Sequence, residues 1–353
     1  MSERAGVAVV RVTAALACGF GLAVIAWLFA WTVRVFPAAV VLAVVAEVPP
    51  LLIGFAVLRW LRPVRPPPWA WSAAAVAWGA TAAIGCALLA NDALSSVWAS
   101  LAGPGVSQTW GPSLTAPLDE ELLKLCGVAL IALAAPRVIR GPVDGLIIGG
   151  LVGVGFGVVE NITYAANAIT QAGATSPMYS VLGTSAGRLL LGAVGSHWTM
   201  TGVAGAGIGF VAARGRRGVW PAAALLLLAM AMHAWIDAPS LPVSGLADDL
   251  IKAAANLAVF AALYLVLRHR YMASARGALT AEVGVGAITP DGAASLLSRR
   301  GRRRARRKVP RGEPRRQLGA WQQARLGQME DVIASGAAPP EPGQPAPLYP
   351  VSH

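Results

Sequence analysis

Residues 143–165 read VDGLIIGGLVGVGFGVVENITYA, and this stretch decides the fold. It is long enough to cross a bilayer core about 30 Å thick, which needs roughly 20 apolar residues of helix. Glycine recurs every four residues, at Gly145, Gly149, Gly153 and Gly157. Such a row lets a neighbouring helix approach closely. Because Glu160 and Asn161 follow it, the stretch predicts a tightly packed membrane helix that carries polar groups.

The composition of the whole chain excludes a soluble enzyme and a disordered chain. Of the 353 residues, 56% are hydrophobic and 13% are charged, and the mean hydropathy is +0.59. Soluble domains carry about 25% charged residues, and disordered chains are charge-rich and apolar-poor. We therefore predict an all-α, polytopic membrane helix bundle. It has about eight transmembrane helices, near residues 12–33, 38–58, 69–90, 116–135, 143–165, 185–213, 219–238 and 250–267.

The basic residues of the short loops predict the orientation. Arginines follow the second, fourth, sixth and eighth predicted helices, whereas loops 91–114 and 166–184 contain neither lysine nor arginine. Arg34 does not follow this pattern. Positively charged loops stay on the cytoplasmic side of a membrane. We therefore expect a multi-pass protein of the cell membrane with its N- and C-termini in the cytoplasm.

Residues 268–353 form a basic cytoplasmic tail, distinct from a transmembrane protease-like domain at residues 1–267. The tail contains 15 of the 29 basic residues and 6 of the 17 acidic ones. Residues 299–308 read RRGRRRARRK, and a run of this kind typically binds anionic lipids. Nucleic-acid binding is less favoured, because no aromatic residues alternate with the arginines.

Two features complete the tail. Apolar residues at helical spacing predict a short amphipathic helix. They are Leu318, Trp321, Leu326, Met329 and Ile333. Residues 339–350 are proline-rich, which predicts a disordered end.

Ionisable residues inside the predicted helices mark candidate functional sites, because a charged side chain in lipid is costly. The fourth helix carries Asp119, Glu120 and Glu121 after Pro117. Capping of the helix dipole is one explanation, but a single acid would be enough for it. Adjacent acids repel each other, and Lys124, on the same helical side, can neutralise one of them. We therefore treat Glu120 and Glu121 as candidate catalytic carboxylates supported by Lys124.

Three further helices contribute polar groups. The fifth carries Glu160 and Asn161, the sixth His197, and the seventh His233 with Asp237 one turn later. A lone membrane histidine usually serves packing, and a glutamate at a helix edge can face water. Two histidines on adjacent helices, with carboxylates on two others, favour a shared site instead. Asp237 is placed to orient His233, since a working imidazole usually has its other nitrogen held.

The depth of these groups supports a common site. With the predicted orientation and a rise of about 1.5 Å per residue, the polar groups of all four helices fall in the outer half of the membrane. Scattered polar residues would not be expected to share one leaflet. Glu47 and Arg188 also lie in predicted helices, and the sequence assigns them no role.

The order and spacing of these residues resemble the PrsW family of intramembrane proteases. The motifs are Glu120-Glu121-x-x-Lys124, Phe156-x-x-x-Glu160-Asn161, and later histidines, His197 and His233, on separate helices. That family is similar in turn to the CAAX-type prenyl endopeptidases and the abortive-infection proteins. Those proteases have an arginine in their Glu-Glu motif, so Lys124 favours PrsW. The resemblance covers about residues 10–267.

The resemblance implies an intramembrane endopeptidase that cleaves membrane-anchored proteins, with site-1 cleavage of an anti-sigma factor as the founding activity. The implied catalytic residues are Glu120, Glu121, His197 and His233. Family members are described as metalloproteases, and imidazoles with a carboxylate suit Zn²⁺. The candidate zinc ligands are His197, His233 and Glu160, with Glu120 as an alternative, and Lys124, Asn161 and Asp237 are supporting residues.

Several alternatives stay open at this point. A metal-free scheme could activate water with glutamate and histidine, and either Glu120 or Glu121 could be the general base. Intramembrane glutamates and histidines also serve as relays in transporters and proton-coupled carriers, although no inverted halves are visible. A membrane scaffold that has lost its chemistry is the third class. The presence of both acids and both helix histidines argues against it.

Overall fold

The computed structural model describes residues 3–335, and within that range all regular secondary structure is helical. The helices are α1 (Glu3–Val35), α2 (Pro37–Leu61), α3 (Trp69–Trp78), α4 (Ile84–Ala102), α5 (Pro104–Ala134), α6 (Pro142–Gln171), α7 (Pro177–Gly195), α8 (His197–Arg214), α9 (Val219–Ile236), α10 (Gly245–Gly284), α11 (Pro290–Leu296), α12 (Arg299–Arg307) and α13 (Glu313–Ser335). Several begin at proline, whose fixed backbone suits the first turn of a helix. A π-helical turn at Gly79–Ala83 joins α3 to α4, and a 3₁₀ turn at Gly215–Gly218 joins α8 to α9.

Six segments of the described residues are long and apolar enough to cross a membrane. They are Ala5–Val35, Pro37–Leu61, Trp69–Ala102, Pro142–Gln171, His197–Ile236 and Gly245–Gly284. Large apolar side chains lie uncovered on them, with Trp27 72% and Leu52 62% exposed, which suits contact with lipid rather than water. The chain is therefore an all-helical membrane protein. The predicted count of eight transmembrane helices is not confirmed.

The fourth predicted helix is longer than the sequence analysis expected. It begins at Pro104 rather than near residue 116, and Pro117 lies inside it. The acids at 119–121 are therefore in the helix interior, beyond the first turn where the helix dipole acts. The helix-dipole explanation for them is wrong. Every 18-residue stretch of α5 includes at least three of its four ionisable residues, so α5 is not among the apolar segments.

The sixth predicted helix, at 185–213, is two helices rather than one. α7 ends at Gly195, and α8 begins at His197. Ser196 between them has φ −119° and ψ −144°, and its carbonyl accepts hydrogen bonds from the amide and hydroxyl of Thr199. A Cβ on Gly195 would lie 2.1 Å from the carbonyl oxygen of Ala253, so the close approach of α10 requires glycine there. The break places His197 at the start of its own helix.

The described residues fall into two compact units. The first comprises the described residues up to Leu61 and Pro67–Tyr264, and the second comprises Arg62–Pro66 and the described residues from Leu265 to Ser335. The boundary lies inside α10, and Arg62–Pro66, which the sequence analysis placed in a loop of the transmembrane domain, belongs to the second unit. Whether residues 1–267 and 268–353 act as a protease-like domain and a separate functional tail stays a prediction.

Helix α6 is the most enclosed apolar segment of the first unit, and its glycine row packs directly on α8. A Cβ on Gly145, Gly149 or Gly153 would lie 2.1 to 2.4 Å from a carbonyl oxygen of α8. The carbonyl that Gly153 faces is that of His197. The close approach predicted from the row is therefore an α6–α8 contact, and it brings the start of α8 beside the polar end of α6.

The second unit has a hydrophobic core of its own. Leu279, Leu296, Leu326 and Met329 are fully or almost fully buried in it, and Trp321 and Ile333 pack against them. The predicted amphipathic helix is α13, and its apolar side is occupied within this core rather than left uncovered for a lipid surface. Residues 268–335 are largely helical, and the proline-rich end at 339–350 lies outside the described residues.

Candidate active site

Four helices of the first unit bring ionisable side chains together. Helix α5 contributes Glu120, Glu121 and Lys124, α6 contributes Glu160, α8 contributes His197 and α9 contributes His233. We call these six residues the carboxylate–histidine cluster. Glu121 and Lys124 are completely buried, and Glu120 and His233 are 3% and 1% exposed. The cluster therefore lies within the helix bundle, where charges interact strongly.

Lys124 lies at the centre of the cluster. Its Nζ is 2.6 Å from Oε1 of Glu121 and 3.4 Å from Oε2 of Glu120. It also lies 3.1 Å from Nδ1 of His197, and 4.3 Å from the ring centroid of Phe156. A buried charge must be paired, and the lysine is paired with both acids of the Glu-Glu motif. One ammonium group thus holds two adjacent carboxylates together in the bundle.

The tautomer of His197 follows from its two neighbours. A lysine ammonium can only donate, so Nδ1 accepts from Lys124 and the ring proton is on Nε2. Nε2 then donates to Oε2 of Glu160 at 2.8 Å. The imidazole also packs on the ring of Phe156, with centroids 4.9 Å apart. Glu160 therefore orients His197 from the outer side, and the lone pair on Nδ1 faces the inside of the cluster.

His233 is oriented in the same way by a different carboxylate. Its Nδ1 donates to Oε1 of Glu121 at 2.9 Å. Its Nε2 lies 3.6 Å from Oε2 of Glu120 and 3.4 Å from Oδ2 of Asp237. The sequence predicted Asp237 in the orienting role, and Glu121 lies on the opposite nitrogen as well. Both nitrogens of His233 thus lie beside carboxylates.

The two imidazoles and Glu120 form a group that can hold a metal ion. One ligand atom from each of Glu120, His197 and His233 can be chosen so that all three lie within 4.8 Å of one another. All three residues are buried, and nitrogen and carboxylate donors are those that zinc prefers. The donors therefore fit such an ion. Glu160, predicted from the sequence as the carboxylate ligand with Glu120 as the alternative, lies on the outer nitrogen of His197.

Two neutral side chains hold the acids of α5 in place. Asn91 donates to Oε1 of Glu120 at 3.0 Å, and the hydroxyl of Thr201 donates to Oε2 of Glu121 at 3.2 Å. Neither residue was predicted from the sequence, since a single asparagine or threonine has no distinguishing pattern. Asp119 points elsewhere: its oxygens are buried, and none of the described residues gives them a hydrogen bond.

A second set of polar residues extends the network to α2 and α7. Arg188 pairs with Glu160 and donates to Oδ1 of Asn161 at 2.6 Å. Asn161 in turn donates to Oε2 of Glu47 at 3.3 Å, and Arg188 stacks over the ring of Tyr164 at 3.8 Å. The sequence had assigned Glu47 and Arg188 no role. Their presence among apolar residues was the only signal that could have found them.

A cavity of about 570 Å³ adjoins the cluster. Its wall includes Glu160, His197 and Asp237, together with Pro49 and Pro50 inside α2. Most other lining residues are apolar or glycine. Glu47 also lines the cavity, and its Oε1 is buried without a hydrogen-bond partner among the described residues. The arrangement suits a mainly apolar ligand that carries a few hydrogen-bonding groups.

Comparison with known protein families identifies a relationship. A family model described as PrsW family intramembrane metalloprotease matches residues 67–267, more than half of the chain. The matched range contains the whole carboxylate–histidine cluster, and it confirms the resemblance drawn from the sequence motifs. No curated protein and no solved structure matches the chain.

Proposed function

Because the chain belongs to the PrsW family of intramembrane metalloproteases, we propose that the carboxylate–histidine cluster hydrolyses peptide bonds of membrane-anchored proteins. One observation carries the proposal. His197 and His233 come from different helices, yet each has one nitrogen held by a carboxylate and the other near Glu120. This is the arrangement expected of imidazoles that bind a metal or move protons. Two packing histidines would have no reason to converge on one acid.

We assign the metal site to Glu120, His197 and His233, with zinc as the ion. When bound, zinc lowers the pKa of its water to about 7 and polarises the peptide carbonyl. Glu160 and Glu121 fix the two imidazole tautomers from outside, since each accepts a hydrogen bond from the nitrogen that faces away from the site. Lys124 pairs with Glu121 and offsets the negative charge of the motif, and a bound ion would take the Nδ1 lone pair of His197 that otherwise accepts a hydrogen bond from Lys124.

The general base is best placed at Asp237. The sequence analysis favoured Glu120 or Glu121, but both oxygens of Glu121 are engaged in a fully buried position. Asp237 lines the cavity and lies 3.4 Å from Nε2 of His233. A carboxylate there can take the proton of an attacking water and pass it to the leaving amine. In a metal-free site, Glu120 between the two imidazoles would take this role.

The cavity is the proposed position of the substrate segment. Its mainly apolar lining suits the side chains of a membrane-anchored peptide, and its wall contains the cavity-facing members of the cluster. The orphan Oε1 of Glu47 can accept a hydrogen bond from a peptide N–H of that segment. By the family resemblance, the substrate class includes anti-sigma factors anchored in the membrane. We further propose a multi-pass cell-membrane protein with both termini in the cytoplasm and the site in the outer half of the bilayer.

Cleavage of a reporter in liposomes tests the proposal. The purified protein should cut a single-span reporter protein, whereas Glu120→Gln and His197→Ala should each abolish cutting while expression and insertion persist. His269→Ala, outside the cluster, is the matched control. A transporter would instead move ions or solutes across the same liposomes without cutting the reporter, and a scaffold would do neither. Full activity in both cluster variants would refute the assignment.

A further inference from the structure

Six arginines of the second unit line one open groove. The groove has a volume of about 780 Å³ and lies between α12 and α13. Its arginines are Arg303, Arg306, Arg307, Arg311, Arg315 and Arg316. Gly312 and Gly319 complete the lining, so that no side chain from these two positions fills it. We call this surface the arginine groove.

Most of the guanidinium groups in the arginine groove have no partner among the residues that the structure describes. Arg315 donates to the carbonyl of Val309 at 2.8 Å, and Arg316 pairs with the exposed Glu313 at 2.9 Å. The guanidinium groups of the other four arginines make no hydrogen bond or ion pair with residues 3–335. A solvated arginine run would spread its charges apart, whereas here they converge on one concave surface.

The fold of the second unit holds these like charges together. Arg302, on the inner side of α12, is 5% exposed and donates to the carbonyl of Leu296 at 2.6 Å. Gln322 of α13 donates to the carbonyl of Arg302, and α13 is anchored by the buried Leu326. Burial and the charges of the neighbouring arginines together lower the pKa of Arg302 to about 10. Repulsion within the arginine groove is therefore opposed by specific packing.

We propose that the arginine groove binds a group that carries several adjacent phosphates. Guanidinium groups match phosphate oxygens with two parallel hydrogen bonds, and a concave cluster of them favours a ligand with more than one phosphate. The lining contains no aromatic side chain on which a nucleic-acid base could stack. The amphipathic side of α13 is occupied in the core, so insertion of α13 into lipid is not the binding mode. The ligand is instead recognised by its charge and shape.

The phosphates can come from a lipid headgroup or from a free polyphosphate. Two probes distinguish these sources with the full-length protein in neutral detergent micelles. Inorganic tripolyphosphate, titrated by calorimetry, represents the free ligand. A fluorescent phosphatidylinositol bisphosphate, whose headgroup carries several phosphates, is diluted into the micelles and represents the lipid-borne group. Binding of either probe in a groove-dependent manner supports the proposal and identifies the source.

Two double variants of α12 provide a matched comparison. Arg303→Gln with Arg307→Gln removes two exposed arginines that line the groove. Arg300→Gln with Arg304→Gln removes the same charge, at the same spacing and on the same helix, from exposed positions outside it. The groove variant should bind about 30-fold more weakly, since each arginine near an anionic group contributes roughly a factor of five. The control should lose no more than about threefold, from long-range attraction alone.

Three results would overturn the proposal. Equal losses in both double variants would show that only the total charge matters. If neither probe bound measurably to the unmodified protein, ligands with several phosphates would be excluded. Tighter binding of a short single-stranded oligonucleotide, lost in the groove variant, would assign the groove to nucleic acid instead. Hydrogen exchange of α13 checks that both variants keep the folded second unit.

Discussion

Oε1 of Glu121 lies 2.9 Å from Nδ1 of His233, and neither residue is more than 1% exposed. Because a carboxylate accepts the hydrogen bond, the proton of the neutral imidazole is on Nδ1 and the lone pair is on Nε2, near Glu120. The two adjacent acids of the motif therefore have different positions. Glu121 orients a histidine from outside, while Glu120 lies between the two imidazoles.

Replacement of Glu121 tests this division of roles. Glu121→Gln keeps the volume but removes the charge that pairs with Lys124 and orients His233. We expect kcat to fall about 10- to 100-fold, which is typical for loss of a residue that orients a metal-binding histidine. Asp92→Asn, an amide replacement at an exposed position of α4, should leave kcat unchanged. A Glu121→Gln protein with normal kcat would exclude an orienting role.

Metal content distinguishes the two candidate ligand sets. If Glu120 is the carboxylate ligand, Glu120→Gln should weaken zinc binding about 10- to 100-fold, as measured by competition with a chelator. Glu160→Gln should retain stoichiometric zinc while activity falls, because it disturbs only the outer nitrogen of His197. If Glu160→Gln instead bound zinc more weakly than Glu120→Gln, Glu160 would be the carboxylate ligand. A metal-free but fully active protein would favour water activation by Glu120 and histidine.

The glycine row of α6 gives a prediction about packing. In Gly153→Ala, the new methyl carbon would lie 2.4 Å from the carbonyl oxygen of His197, so the start of α8 must shift. We expect activity to fall at least tenfold, since a displacement of about 1 Å at a site can cost 100-fold in rate. Gly187→Ala in α7, where nothing lies within 4 Å of the added carbon, is the control. Equal activity of the two variants would mean that the α6–α8 contact does not position the histidine.

The unpartnered oxygen of Glu47 gives a prediction about substrate binding. If Oε1 accepts a substrate N–H, Glu47→Gln should raise KM about tenfold, the loss expected for a hydrogen bond to a charged group, while kcat changes little. Asp144→Asn, another buried carboxylate, lies outside the cavity and should leave KM unaltered. A fall in kcat with constant KM would place Glu47 in the chemistry rather than in substrate binding.

The second unit contains a buried ion pair that should make its stability depend on pH. Glu330 is 2% exposed, lies 2.6 Å from Arg62 and also pairs with Arg65. Burial raises the pKa of Glu330, but the two arginines outweigh it and hold the pKa below its ordinary value. The resulting stabilisation is therefore complete above about pH 4.3, the ordinary glutamate pKa, and is lost as the pH falls through the lowered value.

Hydrogen exchange of the α13 amides measures this effect. Protection should decline on acidification in the unmodified protein, and Glu330→Gln should be about 3 kcal/mol less protected at neutral pH, because Arg62 and Arg65 lose their shared carboxylate partner. The part of the pH dependence of α13 protection that comes from the Glu330 carboxyl should also be absent from this variant. Glu313→Gln, which removes an exposed ion pair with Arg316, should behave like the unmodified protein. Unchanged protection in Glu330→Gln would show that the pair does not stabilise α13.

Much of the site could be predicted because its signals are local in sequence. Apolar stretches and the exclusion of charge from lipid identified the membrane class, and Glu120, Glu121, His197 and His233 were conspicuous as ionisable residues among apolar ones. The four-residue spacing of Gly145, Gly149 and Gly153 predicted a close helix contact, since helical periodicity puts them on one side. The boundaries of α5 and the break at Ser196 were not predicted, because apolar composition does not show where a helix starts or stops.

The sequence by itself thus determined a membrane protein, its family motifs and the set of polar residues from which a site is built. Only the tertiary structure decided which carboxylate meets which histidine, because that depends on distances of a few ångströms between helices far apart in the chain. It decided likewise that the apolar side of α13 packs inside the second unit, where Leu326 and Met329 are fully buried. Hydrophobic patterning predicts that an apolar helix surface will be covered. It does not state whether lipid or protein covers it, since both remove that surface from water.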